Sequence, residues 1–309
     1  MHAATRMARA AVPVLDSAFA KNLPKAPLRE SRDGFSFQYR RTEKGLSVTV
    51  QRGASQAEGV IEWVLGAGAQ GETPLVSFPD GMHESRVSYF PQLGRYGVTV
   101  GQDAGASPGL EAALGLKKKD GDLRECVGCH TSAISRDLQP AIPGVQCISC
   151  HPGSPAHPLG GGRLNPGKLT AAEQVRQCGD CHRNEPLVEQ TQLENLRFQP
   201  VRLTRSRCYR SGALTCTTCH DAHQDARRND AAYYNAKCHA CHDRSALHSD
   251  ARNRGDCIGC HMPYVELHPA LRFTDHFIRV VRPGDLPASI IRKRPADPAP
   301  ARATASPAP

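Results

Sequence analysis

Cysteine is absent from the first 125 of the 309 residues, aromatic side chains make up only 5% of the chain, and there is a single Trp. A length that fits about two domains therefore comes with a thin supply of large core side chains. No run approaches the roughly 18 consecutive apolar residues that a helical membrane span requires, so no transmembrane segment is expected. Acidic residues are also short, 30 against 39 Lys and Arg, for a net charge of +9. Such an excess ordinarily points to nucleic acid or an acidic membrane surface.

The 13 cysteines all fall between Cys126 and Cys260, and 12 of them repeat one pattern, two Cys separated by two residues with His directly after the second. The copies are Cys126-Val-Gly-Cys129-His130, Cys147-Ile-Ser-Cys150-His151, Cys178-Gly-Asp-Cys181-His182, Cys216-Thr-Thr-Cys219-His220, Cys238-His-Ala-Cys241-His242 and Cys257-Ile-Gly-Cys260-His261. Independent placement would give about 0.02 such matches in the whole chain, and the pattern is that of covalent c-type haem attachment. On one helical turn the two thiols face the same way and can each add to a haem vinyl group, while the imidazole that follows points at the iron. Zinc ribbons and disulfide frameworks also use paired cysteines, but neither needs a His after every second Cys. Six covalent haems c are therefore expected, with the six motif histidines as proximal iron ligands.

Successive motifs begin 21, 31, 38, 22 and 19 residues apart. Stretches this short cannot wrap a separate domain round each cofactor, so the haems are expected to share one interior and to supply the apolar surface that the side chains lack. Haem also changes the charge reading. Six pairs of propionates add about −12 and six ferric irons return about +6, which leaves about +3 oxidised and about −3 reduced. The basic excess then serves the cofactors, and nucleic acid is not an expected partner.

The far side of each iron decides between carrying electrons and binding substrate. Eight histidines lie outside the proximal positions: His2, His83, His157, His223, His239, His248, His268 and His276. His157 and His223 follow motif histidines at short offsets that suit a neighbouring haem, His248 follows the fifth motif, and His268 and His276 flank an apolar run after the last. These five and His83 are the candidate distal ligands. His239, inside the fifth motif, is expected to meet solvent or a propionate, and Met262 to pack. Cys208 is open to three readings: a free thiol buried as a small hydrophobe, which is favoured, a disulfide to a partner, or an unusual ligand.

Along the chain, the fold class is mixed: an N-terminal mostly-β region and a multihaem domain of short helices and loops wrapped round stacked haems. Residues 1–115 form the β part, a cover or docking face, with strands expected at Phe35–Arg40, Leu46–Gln51, Val60–Leu65, Val87–Phe90 and Tyr96–Val100. Residues 116–282 form the haem domain. Thr170-Ala-Ala-Glu173 is a capping box for a helix into Cys178, and Asn229 or Asp230 caps another into Cys238. Residues 283–309, rich in Pro and Ala, are expected to be a disordered tail. Covalent haem attachment implies an exported protein, periplasmic or extracellular. Met1 to Ala20 carries no convincing secretory signal because Asp16 interrupts its apolar stretch, and a missing beginning is expected.

These residues resemble the bacterial multihaem cytochrome c superfamily that includes cytochrome c nitrite reductase, hydroxylamine oxidoreductase and their electron-transfer relatives. The nearer likeness is to a group often fused to tetratricopeptide repeats, through Leu214-Thr-Cys-Thr-Thr-Cys-His-Asp-Ala-His223, Cys257-Ile-Gly-Cys-His-Met-Pro263, Phe273-Thr-Asp-His276, Gly66-Ala-Gly-Ala-Gln-Gly71 and Glu84-Ser-Arg-Val-Ser-Tyr89. It covers most of residues 35–282. In that group the stretch like His2-Ala-Ala-Thr-Arg-Met-Ala-Arg follows a further haem motif, so the resemblance implies a lost upstream haem and His2 as a sixth ligand. The nitrite reductases usually carry a C-x-x-C-K motif, which is absent here, and no counterpart of the crosslinked tyrosine of hydroxylamine oxidoreductases is identifiable among seven Tyr. The expectation is an electron carrier that relays between redox partner proteins. The alternatives are an oxidoreductase acting on a small nitrogen or sulfur substrate at one open haem, and a haem-bearing subunit of a larger assembly or filament.

Overall fold

The computed structural model describes residues 2–66, 68–102, 107–152, 165–185, 193–242 and 256–294. The chain divides into two compact units, Met1–Lys168 with His223–Asp225, and Leu169–Ala222 with Ala226–Pro309. None of the described helices is long and apolar enough to cross a membrane.

The first unit is built on an antiparallel sheet of eight strands. They are β1 (Ala11–Pro13), β2 (Leu28–Glu30), β3 (Phe35–Arg41), β4 (Leu46–Arg52), β5 (Ser55–Leu65), β6 (Thr73–Phe78), β7 (Gly81–Ser85) and, after a separate hairpin of β8 (Val87–Phe90) and β9 (Arg95–Val98), β10 (Gly115–Leu116). The order is β10-β7-β6-β5-β4-β3-β2, with β1 also paired to β5. Period-two alternation drives it: Leu46, Val48 and Val50 of β4 and Phe35 and Phe37 of β3 turn the same way and are buried, while their neighbours are more exposed. Each such side chain contributes about 1.5–3 kcal/mol on full burial.

Two short helices complete that interior. In α1 (Ala18–Lys21), whose N-cap Ser17 accepts from Ala20 N–H, Phe19 packs edge-on against Tyr39 and Tyr96 at 5.3 and 5.2 Å. In α2 (Leu110–Leu114), Ala113 and Leu114 enter the same cluster. A second cluster joins Leu65, Leu75 and Met82 of the sheet to Leu123 and Val127, an i, i+4 pair on α3 (Asp120–His130). The hairpin β11 (Thr131–Ile134) and β12 (Pro140–Pro143) leads through Gly144, at φ +71°, into α4 (Cys147–Cys150). A Cβ at Gly144 would meet the Ala8 carbonyl, so glycine is required there.

The second unit holds α5 (Ala171–His182), α6 (Gln199–Leu203), α7 (Arg207–Arg210), α8 (Cys216–Cys219), α9 (Ala231–His239) and α10 (Cys257–His261), then β13 (Tyr264–His268), β14 (Leu271–Thr274) and β15 (Ile291–Arg292) in one small sheet. Its helix starts follow the caps in the sequence. Thr170 accepts from Glu173 N–H while the Glu173 carboxylate accepts from Thr170, and Asp230 accepts from Tyr233 N–H. Among the described residues, the buried cluster in this unit consists of Leu196, Val265 and Leu286, with partly buried neighbours such as Leu267 and Phe273, and Val175, Val201, Leu203 and Ile258 are buried beside it.

Two expectations change. The division falls after Lys168 and not at 115, because α3 lays Leu123 and Val127 on the sheet and carries the first motif with it. The stretch from 283 is not wholly a tail: Leu286 is buried and β15 pairs with β13 through Ile291 opposite Val265. Residues 295–309 of that expected tail lie outside the described residues.

Candidate haem-attachment sites

All six motifs lie on a helical turn. The first and third occupy the C-terminal ends of α3 and α5, the second, fourth and sixth are α4, α8 and α10, and the fifth begins at the end of α9. The amide of His151 donates to Cys147 O at 2.8 Å, that of His220 to Cys216 O at 3.1 Å, and that of His242 to Cys238 O at 2.9 Å. This i to i−4 bond carries each histidine round to follow its two thiols. None of the 13 cysteines is in a disulfide, and among the described residues no group of three or more His, Cys, Asp or Glu is placed to hold a metal ion.

The ring nitrogens are oriented for ligation. His130 Nδ1 faces Ala10 O at 2.9 Å, His261 Nδ1 faces Arg279 O at 2.8 Å, and His276 Nδ1 faces Thr274 O at 2.9 Å. A carbonyl only accepts, so Nδ1 carries the proton and Nε2 the lone pair, which is the tautomer a metal takes. His220 Nδ1 lies 3.5 Å from the Tyr234 hydroxyl, a group that can donate or accept and so fixes neither tautomer. Burial pushes the His276 imidazole down to about 4, with the neighbouring His220 adding to the effect, and burial likewise lowers His182 and His220. Neutral rings are the form that ligates.

Two of the motif histidines face histidines from outside the motifs. His151 and His223 have ring centroids 6.2 Å apart with planes 9° from parallel, and His220 and His276 stand 6.2 Å apart at 31°. An imidazole nitrogen lies about 2.0–2.1 Å from a bound metal and about 1.1 Å from its ring centre, so rings ligating one ion from opposite sides have centroids about 6.2–6.4 Å apart. That value also falls in the ordinary range for aromatic pairs. What sets these two apart is that each joins a motif histidine to a non-motif one.

The thiols show which motifs adjoin. Cys178 and Cys216 share a hydrogen bond that raises the Cys178 thiol, with burial adding to it, and lowers Cys216. Cys238 is pushed up to about 11 by burial, with Cys257 and Cys219 beside it. The first cysteines of the third and fourth motifs thus meet, as do those of the fifth and sixth. Cys208 is only half buried, its thiol raised by burial with Cys241 nearby, so it is less enclosed than the favoured reading required.

Other candidate ligands are engaged differently. His83 lies in β7, stacked on Phe78 at 4.1 Å, with Nδ1 3.2 Å from Gly115 O and Nε2 3.0 Å from Asp80 Oδ1. Both nitrogens thus face protein acceptors in this structure. His268 Nδ1 accepts from Ala270 N–H at 3.1 Å, which puts the proton of the neutral ring on Nε2, the wrong tautomer for an Nε2 ligand. It instead closes the turn between β13 and β14. His2 Nε2 contacts Val145 O at 2.8 Å and its Nδ1 is buried without a partner. His239 Nε2 lies 3.9 Å from Cys257 Sγ and its Nδ1 is buried without a partner, where solvent or a propionate was expected. His157 and His248 lie outside the described residues.

The sequence reading missed Tyr234 and the carbonyls of Thr274 and Arg279. Only the spacing of Tyr234 within a capped helix hinted at the first, and backbone acceptors leave no signature in side-chain type. Comparison with family models, with curated proteins and with solved structures finds no match.

Proposed function

We propose that this chain is a multihaem c-type cytochrome that carries six covalently attached haems and relays electrons between redox partner proteins outside the cytoplasm. The observation that carries the reading is the helical turn on which each of the six Cys-x-x-Cys-His motifs lies, with His223 beside His151 and His276 beside His220 in support. When bound, a c-type haem supplies a one-electron ferric/ferrous couple. The twelve motif cysteines would tether it, His130, His151, His182, His220, His242 and His261 would ligate it, and His223 and His276 would be second ligands at two sites. A face closed in this way would exclude substrate at those two sites. Among the described residues, the small buried cluster of the second unit, which holds four of the six motifs, agrees with the same reading, since haem plates would add apolar interior there.

Intact mass of protein matured in a host able to attach haem c tests the assignment, with six haems expected. Electron paramagnetic resonance of the oxidised protein tests the relay. Low-spin signals at the His151 and His223 site and the His220 and His276 site agree with it. A high-spin iron that shifts with nitrite or hydroxylamine would favour the oxidoreductase, and a colourless or zinc-loaded product would remove the haem reading altogether.

A further inference from the structure

Residues Thr274 to Arg279 serve two motifs at once. At one end the Thr274 carbonyl accepts from Nδ1 of His276, which faces His220 of the fourth motif. At the other, Arg279 O accepts from Nδ1 of His261 in the sixth motif at 2.8 Å, and Arg279 N–H donates back to His261 O at 3.3 Å.

Between them, Asp275 is fully buried. Its Oδ1 accepts from Arg202 Nε at 2.8 Å and from Phe277 N–H at 3.0 Å, and its Oδ2 accepts from Arg202 Nη2 at 2.7 Å and Arg279 Nη1 at 2.8 Å. Burial would raise this carboxyl, but the bonds and charge of Arg202, with Phe277 N–H and Arg279, hold it below the usual carboxylate range. Ser206 fastens the same segment, donating to His276 O at 3.3 Å and accepting from Ile278 N–H at 2.8 Å. The Phe277 ring lies under the Arg202, Arg205 and Arg279 guanidiniums at 5.4, 4.6 and 4.5 Å. The carboxylate therefore folds the segment back on itself and bolts it to α6.

We propose that Asp275 is a positioning residue for two irons together, setting His276 opposite His220 and orienting His261, through the one segment that it pins. This rests on the haem reading above. A carboxylate acting only through its charge would weigh most on the nearer iron. A pin moves both ligands.

The test uses the matured full chain with its haem count confirmed by intact mass, and compares Asp275→Asn with wild type by paramagnetic resonance and potentiometric titration. Two of the six irons are expected to shift in g-values and in midpoint potential together while four stay unchanged. Ser206→Ala, which keeps the Arg202 and Asp275 pair, is expected to move the same two by less. A shift confined to one iron, spread over all six, or absent overturns the proposal. If Asp275→Asn does not accumulate, Ser206→Ala and Arg279→Gln decide by the same outcomes, since Arg279→Gln retains the backbone carbonyl. A wild-type chain without six haems overturns the underlying reading, whereas a six-haem chain indifferent to these changes overturns only the role of Asp275.

Discussion

On the haem reading proposed above, replacing His223 by Ala is expected to turn one low-spin iron in six high-spin and leave the other five as they are. His223 reaches His151 from a three-residue excursion, His223–Asp225, that belongs to the first unit. It is held by Arg6, whose N–H donates to Asp225 Oδ1 at 2.7 Å and whose guanidinium lies 3.7 Å from Oδ2. That ion pair is exposed, about 42% on each side chain, and a pair of this kind contributes about 0–1 kcal/mol. One kcal/mol is about a five-fold change in an equilibrium, so Asp225→Ala should loosen the ligand without removing it. The two variants give a graded series: a full equivalent of high-spin iron for His223→Ala, and a minor fraction of one for Asp225→Ala. Paramagnetic resonance reads the ferric state, and carbon monoxide titration of the reduced protein should rise by one equivalent per chain in His223→Ala alone. An unchanged spin state with full haem content would mean that the 6.2 Å separation is an ordinary ring contact, and the axial reasoning would fail.

Three further outcomes concern the scaffold. Glu72, which accepts from Phe19 N–H at 2.7 Å, has its carboxyl raised by burial against the opposing bonds from Phe19 and Ala18. It binds its proton more tightly folded than unfolded, so its contribution to stability falls as pH rises from about 4.3 through the raised folded value. Glu72→Gln should therefore gain on wild type in thermal melts as pH rises over that window, and a difference independent of pH would refute this. Thr170→Ala removes the capping box of α5 and should cost about 0.5–2 kcal/mol in guanidinium unfolding followed by circular dichroism. Gly144→Ala places a side chain in a left-handed conformation costing about 1–2 kcal/mol, before its collision with Ala8 O. Because Gly144 leads into α4, intact mass should reveal a five-haem species that wild type lacks.

Local signals carried much of the fold. The strands at Phe35, Leu46 and Val87, and the caps at Thr170 and Asp230, stand where alternation and capping chemistry put them. Strands β6 and β7 escaped because Pro74 interrupts one run and the turn at Asp80-Gly81 masks the other. The sequence reading offered His83 only as a candidate distal ligand, whereas a strand holds it between Asp80 and Gly115. The boundary at 115 followed cysteine content, whereas packing follows the apolar pair Leu123 and Val127. The apolar residues Leu286, Ile290 and Ile291 were the overlooked sign of order beyond 283. The motif turns were legible from spacing alone, but which distal histidine approaches which motif depends on contacts between residues such as His151 and His223, 72 positions apart in the sequence.

The unequal distribution of buried apolar side chains bears on biogenesis. A nascent chain could collapse around Phe19, Phe35, Leu46 and Val76 with no prosthetic group present. Among the described residues after Lys168 the buried apolar cluster is smaller, so on the proposed haem reading the eight motif cysteines there should stay open to attachment until haem arrives. On that reading a cell starved of haem would accumulate a half-structured precursor, cut readily by proteases on the C-terminal side and spared on the other.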